Sequence, residues 1–134
     1  MRVVPLLVAI SIVLGCNARS DETTLEEGLN QALSVPSVPG SVEQRRGLES
    51  CLKDSWTNES PTMRASADFE RGDTLKNPSE WYKEQWTQHG WTLTSDGLAV
   101  QREISGQTVR AHIQMYTGSS VFTLAVRFEP DKSC

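Results

Sequence analysis

Residues 76–91 read KNPSEWYKEQWTQHGW, and both ends of a helix are written into this stretch. Asn77 offers a side-chain oxygen to uncapped N–H groups, and Pro78, with its fixed φ and missing donor, suits the first helical position. Glu80, three residues after the cap, is placed to reach back to it. At 100° per residue, Trp81, Tyr82, Gln85, Trp86 and His89 share one arc of about 140°, with Ser79, Glu80, Lys83, Glu84, Thr87 and Gln88 opposite. Gly90 can take the left-handed conformation that ends a helix, which brings Trp91 onto Trp86. The stretch predicts a one-sided helix of about three turns that must lay its aromatic face on an apolar layer.

The sequence after the helix supplies that layer. Asp96-Gly97 and Ser105-Gly106 suit two-residue hairpin loops, and 117–120 suits a four-residue one. Pairing across Ser105-Gly106 sets Val100 opposite Ala111 and Leu98 opposite Ile113. Pairing across the next loop sets Met115 opposite Phe122, Ile113 opposite Leu124 and Val109 opposite Phe128. All of these fall on one sheet face, and a slip of one residue would reverse them. Arg102 falls opposite Trp91, on the inward face, placed to stack on that ring. Before the helix, TMRASADFE (62–70) alternates Met63, Ala65, Ala67 and Phe69 with polar residues. The expectation is an α+β fold: one strand, one helix, then an antiparallel meander, with the helix on one face of a four- to five-stranded sheet. Over roughly residues 60–130 this pattern resembles small secreted bacterial modules of unknown function, and is similar in architecture to the helix-grip domains of envelope-assembly lipoproteins. The resemblance implies a fold and no active site.

The N-terminus carries a different message. Arg2 precedes an apolar run from Val3 to Leu14, broken only by Pro5 and Ser11. The run is far shorter than the 20 or so residues a membrane-spanning helix needs, and fits the apolar region of a secretory signal. It ends in Val13-Leu14-Gly15-Cys16, which resembles a bacterial lipobox. That resemblance implies cleavage behind Gly15 and a diacylated Cys16, a stable anchor at roughly 0.8 kcal/mol per buried methylene. The alternative is an ordinary signal peptide with Cys16 incidental. Residues 1–15 are therefore expected to be a signal peptide and 16–47, with its SVPSVPGS segment, a lipid anchor and mostly flexible linker in which the thin stripe Leu25, Leu29 and Leu33 allows a short helix. Residues 48–134 are expected to form the small α+β domain.

The chain has three cysteines. With Cys16 given to lipid, Cys51 and Cys134 remain as a pair in a compartment where disulfides persist, the alternative being free thiols. Only His89 and His112 are available besides, without ligand-like spacing, so no metal is expected. No cofactor motif, catalytic triad, paired-carboxylate motif or phosphate loop is present in the sequence.

The net charge of -4 leaves no electrostatic footprint for nucleic acid. On the outer sheet face the derived register sets Arg110 directly opposite Arg127, an unfavourable relation that a carboxylate such as Glu103 or Glu129, or an anionic partner, would offset. Arg110, His112, Tyr116 and Arg127 are the candidate binding face, against the plainer reading of a solvated surface. The leading functional expectation is a membrane-anchored, non-enzymatic envelope lipoprotein with a small binding or accessory domain, attached through Cys16 and engaging a protein partner. The alternative is an inhibitor or immunity-type protein docking on an extracellular or periplasmic enzyme.

Overall fold

The computed structural model describes residues 17–48, 62–72 and 76–133. Helix α1 (Asn17–Leu33) leads into strand β1 (Val42–Leu48) and strand β2 (Arg64–Glu70). Helix α2 (Pro78–Gln88) then precedes β3 (Thr92–Leu93), β4 (Val100–Ile104), β5 (Gln107–Met115) and β6 (Val121–Phe128). All the pairings are antiparallel, in one sheet of order β1-β2-β6-β5-β4-β3. The class is α+β, but the sheet has six strands rather than four or five, and a helix comes first.

Both corrections come from the stretch expected to be a linker. Helix α1 is packed into the core, with Leu25, Leu29 and Ala32 buried, and Val35 and Val38 buried just beyond it. It approaches the sheet so closely that a Cβ on Gly28 would lie 2.9 Å from Val109 Cγ1. Strand β1 has no period-2 pattern to mark it in the sequence. It lies at the sheet edge and is exposed along nearly its whole length, so its backbone ladder to β2 holds it rather than side-chain burial. Charged Glu43, Arg45 and Arg46, with a register shift between Glu43 and Arg45, make that edge a poor template for further strands.

Local signals around α2 were specific. Asn77 Oδ1 accepts from the Glu80 amide at 3.2 Å, and Pro78 occupies the first turn. At the other end Gly90 has φ +96°, and the Trp91 amide donates to Trp86 O at 3.0 Å, the six-to-one bond of a Schellman motif. The rings of Trp86 and Trp91 then meet at 6.3 Å. Trp86 is fully buried and its indole N–H donates to Ala32 O at 2.9 Å, locking α2 to the end of α1. Arg102 lies 5.3 Å from the Trp91 ring and also bonds Gln31 at 3.1 Å. His89, expected on the buried arc, is exposed.

The meander register agrees with the pairing expected at Val100–Ala111, Val109–Phe128, Ile113–Leu124 and Met115–Phe122. Ser105 (φ 52°) and Gly106 (φ 77°) both adopt positive φ, as a two-residue hairpin loop of the favoured hand requires. The Leu98–Ile113 pair does not form as a core contact: Leu98 lies outside β4 and is 72% exposed. Both helices cover one face of the sheet, over Phe69, Phe122, Leu124, Val126 and Phe128.

Candidate binding face

The opposite face of the sheet is built on a row of three arginines. The register pairs Arg64 on β2 with Arg127 on β6, and Arg127 with Arg110 on β5. Adjacent strands lie about 5 Å apart, so three like charges stand side by side across three inner strands, near one end of the sheet. Carboxylates stand beside Arg110 and Arg127. Arg110 Nη2 lies 2.6 Å from Glu129 Oε2, and Arg127 Nε lies 3.8 Å from Asp131 Oδ1. Of the two acids that sequence offered as partners for Arg110, Glu129 takes the role and Glu103 instead accepts from the Thr108 hydroxyl.

A second polar row crosses the same face two steps further along the strands from the Ser66–Ala125–His112 line. Arg45 Nε bonds Asp68 Oδ2 at 2.8 Å, Asp68 Oδ1 accepts from Thr123 Oγ1 at 2.7 Å, and Tyr116 Oη lies 3.3 Å from the same hydroxyl. Between the rows the floor is closed: Ser66 and Thr123 are each 4% exposed and Ala125 is fully buried. Arg64, Arg110, Arg127 and His112 around this floor are half-buried, and Gln114 and Tyr116 are exposed.

His112 stands beside the arginine row. Burial is the main influence on its ring, followed by the positive charges of Arg127, Arg64 and Arg110, against an opposing pull from Asp131, and its pKa falls to about 4. The imidazole is therefore neutral at pH 7. Its Nδ1, and the Nε atoms of Arg110 and Arg127, are buried without hydrogen-bond partners. The two Nε–H groups are donors without an acceptor, while the Nδ1 of a neutral imidazole donates or accepts according to its tautomer.

All four expected face residues are here: Arg110, His112 and Arg127 adjoin, while Tyr116 joins the second row. Arg64, Arg45 and Asp68 extend the cluster. Arg64 was readable as outward-facing from its period in TMRASADFE, but its position beside Arg127 depends on the β2–β6 pairing, which no turn specifies. Cys16, Cys51 and Cys134 lie outside the described residues. Trp86 and Trp91 are buried in the core. A cavity of about 230 Å³ between α1 and β1, floored by Leu29, Leu48 and Ala65, is smaller than the roughly 300–1,000 Å³ usual for small-molecule sites. Among the described residues no group of His, Cys, Asp or Glu could hold a metal ion, and no helix is long and apolar enough to cross a membrane. Compared with known protein families, with curated proteins and with solved structures, the chain has no match.

Proposed function

We propose that this protein is a lipid-anchored, extracytoplasmic lipoprotein of the bacterial envelope whose domain binds an acidic protein partner through its outer sheet face and performs no catalysis. The lipid part of the reading rests on the run Val13-Leu14-Gly15-Cys16 behind a short apolar segment. The binding part is carried by one observation: Arg64, Arg127 and Arg110 stand side by side, next to His112. A partner bringing carboxylates to this row relieves the repulsion. Such an interface is steered by charge, so salt weakens it.

Two measurements test the proposal. A palmitate analogue fed to the producing bacterium should label the wild type and not Cys16→Ser; equal labelling of both removes the lipid reading. A photo-crosslinking residue at Gln114, beside the row, should capture one acidic protein in stoichiometric yield. The Arg110→Gln/Arg127→Gln double variant should lose that product while keeping its native circular dichroism. Undiminished capture by a folded double variant removes the arginine row from the function.

A further inference from the structure

We infer that the domain stands directly on the bilayer, with the sheet end that carries the Ser105-Gly106 turn and Lys132 facing the lipid. This rests on the proposal that Cys16 is acylated. A flexible chain over residues 16–47 would have a root-mean-square reach of about 30 Å and leave the domain free to turn. Helix α1 removes that freedom, because it begins at Asn17 and is already tied down at Asp21. Asp21 Oδ1 accepts from Gln107 Nε2 at 3.2 Å and from Lys132 Nζ at 3.1 Å, and Lys132 also bonds the Gln107 side-chain oxygen. Thr24 and Leu25, one turn on, are buried. From Asn17 to Asp21 the helix rises only about 6 Å. The anchored end of the chain and this end of the sheet therefore have almost no slack between them.

Charge does not drive the approach. Among the described residues at this end Asp21 is paired with Lys132, Glu129 with Arg110 and Asp131 with Arg127, so the attachment is given to the acyl chains and not to headgroup charge. The acyl chains and the packed helix hold the orientation. One consequence bears on the partner. Arg64 opens β2, Arg127 is one residue from the end of β6 and Arg110 is three residues from the start of β5, so the row lies within about 10 Å of the membrane-facing end. A protein that reaches them is itself at the membrane surface.

The test uses the full chain, lipidated in the cell and reconstituted into vesicles of phosphatidylethanolamine and phosphatidylglycerol containing a headgroup-nitroxide lipid. A genetically encoded fluorescent residue is placed at Glu103, at the inferred proximal end, or at Thr117, at the far end of β5. Quenching should be several-fold stronger at Glu103, and raised salt should not change the ratio. A spacer of about twelve Gly and Ser residues between Cys16 and Asn17 should abolish the difference. If the Glu103 variant loses its native circular dichroism, a label at Ser133 replaces it. Equal quenching at the two ends in protein that carries the lipid label overturns the placement alone. Protein without lipid label that leaves the vesicles overturns the anchor proposal and the placement together.

Discussion

Arg127 has a like charge on either side, Arg64 on β2 and Arg110 on β5, and its nearest described carboxylate, Asp131, is 3.8 Å away. Arg110 is better served by Glu129 at 2.6 Å. The two substitutions should therefore differ in sign. Arg127→Gln should leave stability unchanged or raise it by up to about 1 kcal/mol, the scale of a like-charge pair directly across a sheet. Arg110→Gln should not stabilise, since it strips Glu129 of its partner, and urea denaturation of both variants checks the order. Arg127→Gln should also raise the pKa of His112, which is held down by burial first and by Arg127 next; an NMR titration of the ring would read this. The same histidine gives a pH dependence. Its folded pKa of about 4 lies below its unfolded value near 6.5, so the unfolded chain binds more protons between them. The histidine's contribution is complete above about pH 6.5 and is lost as pH falls toward 4. The melting temperature of the wild type should drop between pH 6.5 and 5, above the main carboxylate range. His112→Gln should be flatter across that window, and an identical slope would place the effect elsewhere.

Helices α1 and α2 differ in what they expose to a reader of sequence, although both are core elements. In α2 the cap, the proline, the C-terminal glycine and three large rings all act locally, so its existence and ends were legible, and its buried face at Tyr82 and Trp86 but not at His89. In α1 the buried positions are Thr24, Leu25, Gly28, Leu29 and Ala32, where only the two leucines carry a hydrophobic signal. Small residues are needed there because the helix lies close against Val109 and Ile104, and smallness leaves no trace in an apolar count. The order in space of β2 and β6 was equally hidden. Their pairing spans more than fifty residues of chain and no turn sets its register, whereas the meander's turns made β4–β5–β6 readable pair by pair. These arguments give substitutions with opposite expectations from propensity. Gly28→Ala should gain about 1 kcal/mol as a helix former, yet a methyl 2.9 Å from Val109 overpacks the contact at a cost of roughly 1–3 kcal/mol. Net destabilisation is the expected result in thermal melts. Leu25→Ala should cost about 2–5 kcal/mol, a loss no tether residue would show.

At the scale of the whole molecule, the segments flanking two of the cysteines meet at one end of the sheet. Strand β1 ends with Leu48 opposite Ala65, and a few residues along β2's edge Thr62 pairs with Ser133, with Met63 N–H donating to Lys132 O at 2.9 Å. Cys51 lies three positions past Leu48 and Cys134 one past Ser133, so the chain brings both cysteines' neighbours to the same region. A bridge between them would close a loop whose unfolded-state entropy corresponds to about 4.5 kcal/mol before any strain. It would also secure an end that otherwise depends on Lys132, Asp21 and Gln107. Mass spectrometry of a non-reduced digest of envelope-purified protein should recover Cys51 linked to Cys134. Reduction should lower the melting temperature by about 8 °C if only 2 kcal/mol of the entropy is realised in a domain of this size. Two free thiols in that digest, or a melting temperature indifferent to reductant, would show that the packed helix and the hydrogen bonds at this end suffice without a covalent link.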